Sequence, residues 1–167
     1  MKYTPHEITE SKQFFSIPIY QRLFEWDTDN IVMLLDDLYK EYEQSNGQGD
    51  YYIGMLTSTN QNELVDGQQR FTVLMLLGCI LQDYDEEWKS FLLVENKPRL
   101  DFSSRPLDNS YLRILIEHKE ENVHSFKNLK MLNCRKQIKT FMEDSIRFPN
   151  STQSSFASYV YHHLCFF

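Results

Sequence analysis

Cysteine is scarce in this chain, and its count is odd. Cys79, Cys134 and Cys165 lie far apart with no C-x-x-C spacing, so neither a disulfide framework nor a zinc ribbon is expected. His162 and His163 crowd Cys165, but adjacent residues on a helix or strand point different ways, which argues against a metal site there. No apolar run approaches the roughly 20 residues that a membrane-spanning helix needs. The opening MKYTPHEITE also lacks the apolar stretch of a secretion signal. These absences point to a soluble, cytoplasmic protein with no membrane partner. Positive charge is short as well. With 17 Lys and Arg against 24 Asp and Glu the formal charge is −7. Nucleic-acid phosphates repel such a chain, so contact with DNA is expected to be indirect. The string G-x-x-x-x-G-K-(S/T) is missing, which excludes a P-loop nucleotidase.

What is present suits a packed globular unit. At 167 residues the chain can bury about two-thirds of its unfolded surface, and 12 Phe with 10 Tyr make the core aromatic-rich. Thr4, Pro5 and Glu7 form a capping box for a helix running to about Lys12. Residues 14–18 read as a strand stopped by Pro18. Asp27 or Thr28 caps a second helix, in which Ile31, Leu34, Leu35, Leu38 and Tyr42 share one face. Residues 51–58 and 63–65 read as a hairpin. The stretch 71–81 is apolar nearly all round, which predicts an interior helix.

Further on, short strands are expected at 92–95 and 99–102. A helix capped by Asp108 should follow, with Leu107 and Leu112 as a hydrophobic staple. Residues 123–146 predict a long amphipathic helix with Phe126, Leu129, Leu132, Ile138, Phe141 and Met142 inward, and one more helix follows residues 149–155. The class is therefore α+β. We divide it into a mixed domain over 1–120 and a helical extension over 121–167, whose close in two phenylalanines reads as the start of a truncated C-terminal region.

The chemistry concentrates where the hairpin meets the interior helix, at Asp66, Gly67, Gln68, Gln69 and Arg70. A helix start leaves N–H groups unpaired and carries partial positive charge. Gly67 permits positive φ or close approach of a ligand. The two amides add donors and acceptors, and Arg70 adds a planar fork suited to phosphate oxygens. The set makes an anion site in which phosphate fits best. Asp66 beside a phosphate makes sense if it holds a divalent cation or a water. The competing reading is local: Asp66 caps the helix, Gln69 completes a capping box, and Arg70 is solvated.

A second glutamine–arginine pair, Gln21 and Arg22, lies upstream in SIPIYQRLFEW, followed by YYIGML and then VDGQQRFTVL. This ordered trio resembles the N-terminal domain of GmrSD-type modification-dependent restriction systems. Those domains carry I-P-x-Y-Q-R-x-(Y/F)-x-W, then Y-(F/Y)-(I/L)-G, then (I/V)-D-G-Q-Q-R-(L/F)-T-x-L. The likeness spans about residues 4–147. It implies a ParB/sulfiredoxin-like fold, a small mixed sheet with surrounding helices, followed here by C-terminal helices. It also implies nucleoside triphosphate binding and hydrolysis that controls a nuclease, attached or in a partner chain.

On that resemblance Arg70 and Arg22 contact phosphates, with Arg105 as a third cation. Gln68 and Gln69 orient phosphates or the attacking water. Asp66 binds Mg²⁺, Gly67 admits the ligand, and Gln21 bridges the two motifs. Trp26 and Phe24 either stack on a base or latch their loop to the core. The HNH-type string D-x-x-H-x-x-P is missing, so cleavage of DNA by this chain alone is not expected. The alternative reading is a module that senses a nucleotide or a modified DNA without turnover.

Overall fold

The computed structural model describes residues 2–119 and 129–167. Helix α1 (Pro5–Glu10) opens with the expected capping box at Thr4 and is shorter than expected. Strand β1 (Phe15–Ile17) stops before Pro18, and α2 (Thr28–Gln44) starts from an Asp27 cap. Ile31, Leu34, Leu35 and Leu38 of α2 are buried, as their spacing predicts. Strands β2 (Tyr51–Gly54), β3 (Thr57–Ser58) and β4 (Leu64–Asp66) lead into α3 (Gln68–Leu81). Then come α4 (Glu87–Leu92), β5 (Leu93–Val94), β6 (Lys97–Pro98), β7 (Leu100–Phe102) and α5 (Pro106–Ile116). The chain closes with α6 (Leu129–Met142), a 3₁₀ turn (Pro149–Ser151), α7 (Gln153–His163) and β8 (Leu164–Phe166).

The fold is α+β, and its strands pair two at a time. β1–β7 and β2–β8 are parallel; β3–β4 and β5–β6 are antiparallel. The expected hairpin is therefore only half present. β3 pairs with β4, while β2 leaves at Gly54 and pairs with the C-terminal β8. Helix α3 is the centre of the molecule. Every residue from Phe71 to Leu81 is buried, and α4, α5 and α6 pack against it. Each large side chain there contributes about 1.5–3 kcal/mol by leaving water, which explains an apolar stretch with no polar face. One apolar cluster runs from Ile8 to Phe166 and includes residues on both sides of position 120.

Several local expectations need correction. The acidic run 83–87 leads into an unexpected helix, α4, and Leu92 ends it rather than beginning a strand. Trp88, Phe91 and Leu92 sit three and four apart and are all fully buried, a short helical stripe masked by the acids before it. Asp108 does not cap α5. Arg105 occupies the cap position with Pro106 first in the helix, and Leu107 is 58% exposed, so it staples nothing. Helix α6 ends at Met142; Ile146 is 92% exposed and Leu129 71%. Phe126 and the expected helix start at 123 lie outside the described residues.

Arg99 is buried to 1% exposure, and among the described residues no carboxylate pairs with it. It donates instead to the backbone carbonyls of Ile8, Gln13, Ser90 and Phe91, tying α1 and α4 to the start of β7. Burial pulls its pKa down to about 10.

Candidate phosphate-binding cleft

Strand β4 ends at Asp66, and the cap of α3 is Gly67, in left-handed conformation at φ +86°. No side chain caps this helix. Asp66 Oδ1 accepts from the Gly67 amide at 2.8 Å, one residue too early for a helix cap. The local capping-box reading of Asp66 and Gln69 is thereby overturned. Glycine is required at 67 twice over: its φ disfavours any side chain, and a Cβ would fall 2.7 Å from the Met55 carbonyl oxygen. The first turn of α3 thus keeps its N–H groups uncapped at the positive end of the helix.

Arg70 sits one turn further on, half-buried. Its Nη2 donates to the Met55 carbonyl at 3.2 Å and lies 3.5 Å from Asp66 Oδ1. Both contacts of Asp66 fall on Oδ1. Arg22 lies on the irregular loop 18–27, largely exposed, 3.5 Å from Glu25. The two arginines share one cleft of about 190 Å³, with Arg22 and Trp26 on one side and residues 66–70 on the other. Its lining carries two guanidinium groups and one carboxylate on a chain of net charge −7.

Of the remaining candidates, Gln68 and Gln69 line the cleft and Gln21 and Arg105 do not. Both amide atoms of the buried Gln69 bond the loop: Oε1 accepts from the Glu25 N–H at 2.8 Å, and Nε2 donates to the Leu23 carbonyl at 3.0 Å. Gln69 still forms part of the cleft wall, but its side chain is a latch. Gln68 Nε2 donates to the Val65 carbonyl at 2.8 Å. Arg105 grips the loop from the far side through the carbonyls of Ile19 and Gln21. Gln21 itself closes a turn onto Pro18 at 3.0 Å, and neither Gln21 nor Arg105 lines the cleft. Phe24 is buried at 6% exposure, which makes it the loop's anchor in the core; Trp26 packs against that core while lining the cleft.

Gly54 is a contributor that its sequence neighbourhood does not reveal. A Cβ added at Gly54 would fall 2.7 Å from Arg70 Nη1. The glycine of YYIG was visible as part of a motif, but nothing near it in sequence says that a distant arginine lies across it.

Comparison with protein families gives a match over residues 6–166 to the GmrSD restriction endonuclease, N-terminal domain. The chain belongs to that family. This GmrSD N-terminal domain therefore has a place in a restriction system acting on DNA. All three motifs, and every residue of the cleft, fall inside the matched span. A search of curated proteins found no match.

Larger cavities lie elsewhere in the GmrSD N-terminal domain, including one of about 520 Å³ against Phe14, Pro98 and Arg113. There Arg113 is ion-paired with Glu117 at 2.9 Å, and Asn109 is engaged by Asp101 and the Phe102 backbone. The smaller cleft is the better candidate because it joins two separate arginines to an uncapped helix start. Among the described residues no group of three or more His, Cys, Asp or Glu side chains is placed to hold a metal ion. Nor, among them, is any helix long and apolar enough to cross a membrane.

Proposed function

We propose that the cleft binds the polyphosphate of a nucleoside triphosphate and promotes its hydrolysis, and that this turnover governs a nuclease acting in the same restriction system. The observation that carries the reading is the convergence of Arg22 and Arg70, from separate segments, on the uncapped start of α3. A cleft of about 190 Å³ is below the ~300 Å³ of a typical small-molecule pocket, which suits a phosphate chain with ribose and base outside it.

Phosphoryl transfer asks mainly for positioning and charge neutralisation. Water forms the new bond to the γ-phosphorus while the bond to the bridging oxygen breaks; the nucleoside diphosphate leaves with that electron pair, and the water's proton passes to a phosphate oxygen. Arg70 and Arg22 offset the charge that builds on the phosphate oxygens. The water-orienting role falls to Gln68 Oε1: the Gln68 amide nitrogen is held by the Leu64 and Val65 carbonyls, while both amide atoms of Gln69 bond the loop. A single carboxylate fits Mg²⁺ that arrives with its phosphates, since that ion is commonly held by one or two carboxylates plus substrate oxygens. Asp66 Oδ2, free of the contacts on Oδ1, is the ligand we assign, and the ion's chemistry would be further neutralisation of phosphate charge. The nuclease is assigned to another region or chain, and with a charge of −7 this domain meets DNA indirectly.

Phosphate release from ATP, GTP, CTP and UTP, with and without Mg²⁺, tests the proposal. Wild type should release phosphate only with the ion. Arg70→Ala should lose both turnover and affinity, and Asp66→Asn should weaken the metal dependence while remaining folded. Equal turnover in a folded Arg70→Ala protein sinks the reading. The lone carboxylate in the cleft favours one alternative, a sensor that binds nucleotide or modified DNA without turnover. Thermal stabilisation by nucleotide with no phosphate release would select it.

A further inference from the structure

We propose that Gly54 is the positioning residue for Arg70, through the side chain it lacks. This rests on the reading of the cleft as a polyphosphate site. Gly54 ends β2 at φ +133°, where side chains are strongly disfavoured. A Cβ there would lie 2.7 Å from Arg70 Nη1, 2.9 Å from Cζ and 3.2 Å from Nε, so the guanidinium lies across the bare backbone. The same turn of the chain presents the next carbonyl, that of Met55, to Arg70 Nη2 at 3.2 Å. Arg70 Nε is buried with no hydrogen-bond partner, so packing on Gly54, rather than an acceptor, sets that edge of the group.

The seat is itself held by Phe167, the residue that follows β8. The Gly54 carbonyl accepts from the Phe167 amide at 3.1 Å, and the Leu56 amide donates to the Phe167 carbonyl at 3.1 Å. Residues on either side of the turn are thus pinned to one segment. The third motif supplies the cation and the second motif supplies the surface on which it lies.

A double-mutant cycle of Gly54→Ala and Arg70→Ala tests this, read in two ways. Backbone strain at 54 is the same in both backgrounds, so the coupling isolates the contact with the guanidinium. In titrations with Mg²⁺–ATP, Gly54→Ala should weaken binding about tenfold or more when Arg70 is present, and less than about twofold when it is absent. In thermal unfolding without nucleotide, Gly54→Ala should lower Tm more in the Arg70 background than in the Arg70→Ala background. Equal effects in the two backgrounds overturn the proposal. Should Gly54→Ala fail to fold in either background, the wild type decides by NMR. The Arg70 Nε–H should exchange with solvent more slowly than that of a free arginine, and exchange at the free rate overturns the seat. A wild type that binds no Mg²⁺–ATP sinks the proposed function instead, while the unfolding cycle still decides whether Gly54 seats Arg70.

Discussion

Gln69 accepts the Glu25 amide hydrogen at 2.8 Å and donates to the Leu23 carbonyl at 3.0 Å, so the helix carrying Arg70 holds the loop carrying Arg22. Loop 18–27 has no regular secondary structure. Its placement rests on this amide, on Arg105 behind it and on the buried Phe24. The second glutamine of the motif therefore ties the two arginine-bearing segments together.

Gln69→Ala removes both bonds and leaves backbone groups of the loop without partners. The expected cost is about 1–3 kcal/mol of stability, measured by urea unfolding. Nucleotide affinity should fall to the level of Arg22→Ala, because both changes remove Arg22 from the cleft. A Gln69→Ala protein that binds nucleotide like wild type would show the latch to be irrelevant to the site.

Arg22 and Arg70 should respond differently to salt. The Arg22 side chain is 70% exposed and that of Arg70 29%, so only the first is well screened by mobile ions. Arg70→Ala is expected to weaken nucleotide binding by about 10- to 100-fold at any ionic strength. Arg22→Ala should cost less than about tenfold, and the loss should shrink toward nothing as salt rises. Isothermal titration at low and high salt separates the two patterns, and identical salt slopes would refute the distinction.

Arg99→Met should be the most damaging change outside the cleft. It replaces a buried guanidinium with an apolar chain and abandons the carbonyls of Ile8, Gln13, Ser90 and Phe91. We expect a loss of about 3–5 kcal/mol in chemical denaturation. Arg99→Lys should recover only part of it, since an ammonium cannot span the same fork of acceptors. A loss under about 1 kcal/mol for Arg99→Met would mean the clasp is dispensable.

Asp50 predicts an acid-sensitive joint. Burial by itself raises its pKa, but hydrogen bonds and charge from Lys2 and His163, both 2.9 Å from Oδ1, outweigh that and hold it below the usual carboxylate range. A depressed folded pKa means the contribution is complete above the unfolded value of about 3.9 and is lost as pH falls through the folded value. Urea midpoints should therefore drop below about pH 4 in wild type, and less steeply in Asp50→Asn. Parallel pH profiles for the two proteins would rule out this joint.

What the sequence determined by itself was local. The capping box at Thr4, the Asp27 cap and the apolar face of α2 depend on groups within a few residues of each other, and each is where the spacing puts it. A stretch that is apolar nearly all round, such as 71–81, belongs in the interior, because no orientation at the surface would hide it. The order Asp66 to Arg70 likewise marked a charged helix start. The tertiary structure decided the rest: that β2 abandons its expected hairpin for β8, that the Gln69 amide turns to the loop, that Arg105 grips Ile19 and Gln21 away from the cleft, and that Gly54 lies beneath Arg70. An amide or a guanidinium carries no record of which distant backbone it will meet. That partner is set when burial of the whole apolar cluster brings the segments together, and only then does the bond form.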